Sequence, residues 1–470
     1  MRIKRSKELN YSVLFKIVLS IGCILLFSNS VVAEKSLLTQ DPRPSGLMLA
    51  TFDVDATPPI GSLMAYDPVV NSWDMGLRAK GIVLLGAGKP IVLCSVDWIE
   101  INNESQDIFK KALADAAGTE PDRVVVHTVH QHDAPMSDFS AEKILKAAGI
   151  NPMCYESTFQ REVIRNLGTS VRKSLEQAQP VNHVGLGEAQ VYLVASARRI
   201  LGADGKVRAT RYTATADPAL RAEPEGVIDP TVSLISFWNN DKPLAVLSYF
   251  ATHPQSYYRT GIPNPDFPGI ARFYRQLAVP QALHVHFAGA GGNITAGKYN
   301  DGSKENRGIL AERLADGMKR AWDATKREPV TQGSVGWNVI PVSLKPAPYL
   351  ENIKNQVKTM DALTVTNNVF KVAFLERCQA GRKIDISCLK IGKARILHMP
   401  GELFVEFQLA AKNERPDLFV AMAAYGDCGM GYIGTAIAYS QGGYEAGQAS
   451  GVTSEAEEVL MSAIKKLLER

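Results

Sequence analysis

Four times along this 470-residue chain, an apolar and β-branched run leads straight into a short segment of histidine, glycine or carboxylate. Residues 123–129 run into His130-Gln-His132-Asp-Ala-Pro135, and 244–250 into Thr252-His253-Pro254. Residues 283–287 run into Ala288-Gly-Ala-Gly-Gly-Asn293, and 394–397 into His398-Met-Pro-Gly-Glu402. Short runs rich in Val, Ile and Phe read as buried strands. Before the first of them, 82–85 and 90–96 read as strands around Gly86-Ala-Gly-Lys89, and 104–117 has helical periodicity. A strand, a helix and a strand of those lengths make a right-handed crossover, which places His130 at the carboxyl end of a parallel strand. Open α/β sheets hold their ligands there. The repetition of this layout predicts an α/β fold in which distant segments deliver side chains to one rim of one sheet. Residues 155–178, 305–325 and 454–470 read as amphipathic covering helices, and 403–413 as a helix following Glu402. Residues 218–230 and 341–348 read as loops, and neither marks a domain boundary.

Seven of the eight histidines lie in or beside these segments, and only His183 stands alone. Imidazole is the commonest protein ligand for zinc and an acid/base near neutral pH, so this crowding beside a carboxylate reads as a metal-centred catalytic site. On an extended backbone His130 and His132 point to the same side, which lets both bind one metal or lets one stand behind the other. His127, on the opposite face, reads as structural. His253, stiffened by Pro254, is a natural second ligand. Glu402 follows Pro400-Gly401 at a strand-to-helix turn, where a carboxylate either caps the helix or binds a cation. The turn 288–297 lacks the Gly-Lys-Ser/Thr of a phosphate loop. It reads instead as a flexible turn that brings Thr295 and backbone N–H groups towards a substrate carbonyl. Tyr432 and Tyr444, each among glycines, serve either as packing or as phenols reaching a pocket.

The first 33 residues have a basic start, an apolar run over 13–27 and Val31-Val-Ala33. These are the parts of a secretory signal peptide cut after Ala33, giving 1–33 as leader and 34–470 as the catalytic domain of a secreted or periplasmic protein. Ser20-Ile-Gly-Cys23 also fits a lipoprotein signal. The leader carries five Lys/Arg and one Glu, so the chain's +4 formal charge belongs to it, and the 47 Lys/Arg and 47 Asp/Glu beyond it cancel. That balance gives no electrostatic basis for a nucleic-acid partner. Membrane contact stays open but is not indicated, since nothing later in the chain resembles a spanning helix, and the pattern leaves the oligomeric state open. Of the six cysteines, Cys94, Cys154, Cys378, Cys388 and Cys428 lie beyond the leader. In an oxidising compartment Cys378 and Cys388, ten residues apart, could close a hairpin, and the odd number leaves at least one thiol free or paired between chains.

Taken together these motifs resemble the neutral (non-lysosomal) ceramidases, secreted or membrane-associated zinc amidohydrolases. The family's Thr-His-Thr-His-Ser-Gly-Pro is similar to Val129-His130-Gln-His132-Asp-Ala-Pro135, and its Asn-x-Gly-Asp-Val-Ser-Pro-Asn to Ala290-Gly-Gly-Asn-Ile-Thr-Ala-Gly297. Its Pro-Gly-Glu matches Pro400-Gly-Glu402, and its pair of tyrosines twelve residues apart matches Tyr432 and Tyr444. Thr51-Phe-Asp-Val-Asp-Ala-Thr-Pro58 and Cys94-Ser-Val-Asp97 resemble its first strand and its Asp-bearing strand. The resemblance implies mixed sheets with covering helices and one zinc at the carboxyl ends of strands. It implies His130, His253, Glu402 and Tyr432 as zinc ligands, with His132, Thr295 and Tyr444 as catalytic groups beside the scissile amide. This chain has Thr295 where the family has its serine, and Asn293 where it has an aspartate. Threonine keeps the hydroxyl and adds a methyl. Only 26 residues follow Tyr444, so no C-terminal immunoglobulin-like domain is expected. The activity implied is hydrolysis of an N-acyl amide, from ceramide or a smaller relative. The same site also suits an esterase, an amino-sugar deacetylase, or a zinc-containing binding protein without turnover.

Overall fold

The strand, helix and strand expected at the start of the chain form one unit around a parallel pair. Gly88–Val96 lies parallel to Val124–Thr128, with Val92 opposite Val124 and Val96 opposite Thr128. The helix Asn103–Ala117 joins them. Its apolar side buries Phe109, Leu113 and Ala114 against Val92, Cys94 and Val126 of the sheet and against Val163, Leu167 and Val171 of the helix Thr158–Leu175. Phe109 is fully buried, and truncating such a ring to alanine costs ~3–5 kcal/mol.

The computed structural model describes residues 46–469 apart from positions 73 and 358. The leader-like segment 1–33, with Cys23, lies outside the described residues. No helix among the described residues is long and apolar enough to cross a membrane.

The same unit occurs twice more. Lys242–Phe250 runs parallel to Leu283–Ala288, with the helix Asp266–Ala278 between them in sequence. Ala394–His398 runs parallel to Phe419–Ala423, with the helix Val405–Glu414 between them. These pairs belong to three separate sheets, of five, five and four strands. The expectation of one rim on one sheet is therefore corrected: a parallel pair buried on both faces reads as the same apolar run whichever sheet it joins. Antiparallel strands complete each sheet, such as Leu47–Asp55 beside Arg78–Gly86 in the first and Thr231–Asn239 beside Lys242–Phe250 in the second. The sheets meet in one core, where Leu49 and Ile82 of the first pack with Ile235 and Leu247 of the second and Leu389 and Ile396 of the third. The helices cover the outside. The result is a mixed α/β fold.

Three local expectations change. All five described cysteines are free. Cys378 lies at the end of the helix Ala362–Gln379 with its Sγ 3.7 Å from the Leu344 carbonyl, while Cys388 is buried in the strand Ile384–Ile391 opposite Leu397. The intervening residues connect a helix to a strand and do not form a hairpin. The loop 218–230 contains a one-turn helix, Pro218–Ala222, and 341–348 begins inside the strand Val335–Val342. The last covering helix, Ala456–Glu469, forms as its spacing predicts.

Candidate active site

The strand before His130 ends at Thr128, but its backbone stays attached to the neighbouring segment, with Val129 N donating to Val96 O and His130 N to Trp98 O. His130 then adopts φ +70°, an uncommon left-handed conformation for a side chain of this size. This twist, rather than strand alternation, sends the rings of His130 and His132 to the same cleft, 4.9 Å apart and nearly perpendicular. The Nδ1–H of His130 donates to the Ile99 carbonyl at 2.8 Å, which leaves its Nε2 as a lone pair facing inward.

His253 arrives from the second sheet, just past Phe250, and its Nδ1–H donates to the Gly291 carbonyl at 2.8 Å. Glu402 arrives from the third sheet. It pairs in a two-residue parallel bridge with Tyr432, which sets the carboxylate and the phenol side by side. The glycine-rich turn passes between these segments. A Cβ on Gly291 would lie 2.8 Å from the Thr252 backbone, and one on Gly292 would lie 2.3 Å from the Glu402 carbonyl oxygen. Glycine is required there so that the turn can fit between the backbones carrying His253 and Glu402.

His130 Nε2 and His253 Nε2 stand 3.2 and 3.1 Å from the same oxygen, Glu402 Oε2, and all three side chains are buried. With both Nδ1 protons committed to carbonyls, two lone pairs face a carboxylate oxygen, and that oxygen has no hydrogen-bond donor. Acceptors crowded in this way repel one another unless a cation lies between them. The group offers its ligand atoms within 4.8 Å of one another, so it fits a divalent metal with two nitrogens and one oxygen. The Tyr432 hydroxyl stands beside the group, 3.3 Å from His253 Nε2. Burial pushes His253 down to about 4, and nearby Arg198 adds to the effect. Without a metal a proton takes that place: burial works against charge here, yet Glu402 pushes His130 up, and the protonated imidazole with His253 then holds the Glu402 carboxyl well below the usual range.

Arg198 is the group that the sequence did not reveal. It is buried, and its Nη1 donates to the Tyr432 hydroxyl at 2.9 Å and to the Tyr444 hydroxyl at 2.5 Å. The two phenols are 2.6 Å apart. Arg198 N donates to Asn293 O, so the glycine-rich turn positions this guanidinium as well. Glu100 was also missed. It lines the cleft and accepts from Asn102 Nδ2, and burial, reinforced by Glu402, pushes its carboxyl up to about 7.

The cleft has a volume of about 450 Å³. Tyr66, Tyr212, Tyr258 and Tyr444 line it together with His132, whose ring lies parallel to that of Tyr66 at 5.7 Å. Burial, with His130 and His253 close by, holds His132 well below the ordinary histidine value. Thr295 is not brought to the cleft. It is fully buried in a two-residue strand beside Ser196, and its Oγ1 accepts from Gly297 N. Asn293 accepts from Val405 N with its Oδ1 and donates to Glu406 with its Nδ2, which ties the turn to the start of the following helix. The remaining clustered histidines face elsewhere. His127 bonds the Ala424 carbonyl, and His286 and His398 meet the hydroxyls of Ser248 and Ser387.

A crystal structure of neutral ceramidase from Pseudomonas aeruginosa matches 90% of this chain and 74% of its own, with a TM-score of 0.63 and 16% identity. A ceramidase complexed with C2 matches 90% of this chain and 75% of its own at the same TM-score and identity. The fold is that of neutral ceramidase. No family model matches the sequence, and no curated protein matches it by sequence. Of the positions that the neutral ceramidase resemblance implied, His130, His132, His253, Glu402, Tyr432 and Tyr444 line one cleft, and Thr295 stands outside it.

Proposed function

We propose that this chain is a secreted zinc hydrolase that cleaves N-acyl amides. The observation that carries this reading is the pair of imidazole lone pairs set 3.2 and 3.1 Å from a carboxylate oxygen that has no donor. His130, His253 and Glu402 would hold the metal with Tyr432 beside them, a set of three protein ligands that leaves a position open as in catalytic zinc sites. When bound, zinc supplies a Lewis acid for the carbonyl and water acidified to a pKa of about 7.

The protein's own groups account for the rest. His132 faces the cleft unprotonated, and negative charge developing beside it in the transition state would let its Nε2 take a proton and pass it to the leaving amine. Its Nδ1 is turned to the His130 carbonyl at 3.1 Å, which fixes the ring. Arg198 and Tyr444 form a rigid pair of donors beside the ligand group, suited to stabilising negative charge on the substrate oxygen. Thr295 acts indirectly, by holding the turn that positions His253, Glu402 and Arg198.

Tyrosines and polar groups dominate the cleft wall, with Ile99 and Ala214 its only aliphatic side chains among the described residues. Such a lining suits short or polar amides better than a long acyl chain. The leader-like residues 1–33 support secretion. Hydrolysis of a panel of N-acyl amides, amino sugars and simple esters by the mature protein, with and without chelator, tests the reading. Chelator-sensitive cleavage of amides is expected, and activity that survives complete metal removal would contradict it.

A further inference from the structure

The mouth of the cleft carries a cation without a counter-ion. Arg259 is exposed, and its guanidinium carbon lies 5.4 Å from the Tyr66 ring and 5.6 Å from the Tyr258 ring. Among the described residues no carboxylate pairs with it. Its backbone sits at φ +64°, a strained conformation that persists only where the surroundings enforce it.

The surroundings do enforce it. Thr260 donates from its N and its Oγ1 to the two oxygens of Asp133, the residue after His132. Gly261 N donates to Asp67 Oδ2 at 2.7 Å, tying the Arg259 loop to the Tyr66 loop, and Ala65 N donates to the Ala134 carbonyl. Arg259 is thus held in place on a rim built from the same segment that carries His132.

Position then assigns a role. The Tyr66 ring stacks on His132 and the Tyr258 ring meets it at 5.4 Å, so Arg259 stands one aromatic ring outward of His132. His132 is the residue assigned to protonate the leaving amine, so a group that Arg259 can reach belongs to the amine half of the substrate. Inside the cleft Arg198 already donates to the Tyr432 and Tyr444 hydroxyls, whereas the Arg259 guanidinium on the rim has no carboxylate partner among the described residues. A guanidinium backed by aromatic faces keeps its outward N–H groups aligned for a planar carboxylate.

Resting on the amidase reading, we propose that Arg259 recognises a carboxylate on the amine half of the substrate. The preferred substrates are then N-acyl amino acids rather than N-acyl amino alcohols. The test compares N-butanoylglycine with the neutral N-butanoylethanolamine on the zinc-loaded mature protein. The wild type is expected to favour the carboxylate in kcat/KM by about tenfold or more. Arg259→Gln should bring the ratio close to one, and Arg259→Glu should reverse it; a ratio within one protein is insensitive to partial misfolding. Equal rates on both substrates in the wild type, or a ratio unchanged in Arg259→Gln, would overturn the assignment. If the wild type turns over neither amide, the amidase reading fails, and calorimetric binding of N-butanoylglycine decides the role of Arg259 separately. Weakening by about tenfold in Arg259→Gln supports the carboxylate seat, whereas no binding, or binding unchanged in that variant, refutes it.

Discussion

Arg198→Gln separates the stabilisation of charge from the holding of metal. The wild-type guanidinium makes two short bonds to phenols, at 2.9 and 2.5 Å, within a buried site. Hydrogen bonds to a charged group contribute about 1.5–3 kcal/mol each, and glutamine, shorter and uncharged, replaces them at best with weaker neutral ones. Losing one preorganised donor to a developing oxyanion costs about 2.7–4 kcal/mol. The two magnitudes agree on a fall in kcat/KM of about 10²–10³-fold, taken mainly in kcat because the charge develops in the transition state. Most of the metal should be retained, because Arg198 hydrogen-bonds Tyr432 and Tyr444 and none of His130, His253 and Glu402. Steady-state kinetics on a soluble N-acyl amide, paired with metal analysis of the same samples, reads both quantities. A loss below about threefold, or a loss that tracks departing metal, would refute the role given to Arg198.

Other outcomes follow from the same geometry. His132→Ala should keep its metal while kcat falls by about 10²–10⁴-fold, and metal loss equal to that of His130→Ala would make His132 a ligand instead. Thr295→Val deletes a hydroxyl that faces Gly297 N rather than the cleft, so kcat/KM should change by less than about fivefold, and a fall of about 10²-fold or more would place that hydroxyl in the chemistry. Burial holds His127 at about 4, and His284 and His286 at about 3, against an ordinary value of 6.5. Below pH 6.5 the unfolded chain therefore binds protons that the folded chain refuses. Stability is full above that pH and falls towards pH 4 by about 1.4 kcal/mol per unit for each histidine. Urea midpoints that stay flat from pH 7 to pH 5 would contradict this.

The strand and helix units were legible in the sequence because each couples an apolar run to a helical spacing, and His130, His253 and Glu402 each follow a strand of a parallel pair or its near end. How those strands join was not legible. The runs 123–129, 244–250 and 394–397 carry no mark of their neighbours, and three sheets bury them as well as one would. Histidine clustering pointed to the right region and overcounted it. His127, His284, His286 and His398 sit in similar apolar runs, and only the fold turns them to interior bonds and away from the cleft. Arg198 and the rim tyrosines were missed for a related reason. Arg198 meets Tyr432 across 234 residues, and no local pattern distinguishes a buried arginine from an exposed one. The Cys378 and Cys388 expectation failed because a spacing of ten residues does not specify that a helix ends between them and a strand begins.

Zinc stoichiometry in three single variants tests the central claim most directly. Metal analysis of the purified mature protein after exposure to zinc and removal of the excess should give close to one ion per chain. His130→Ala, His253→Ala and Glu402→Gln should each lose most of it while circular dichroism shows the fold retained. Wild-type protein that binds no zinc, or three folded variants that keep full occupancy, would contradict a metal held between His130, His253 and Glu402.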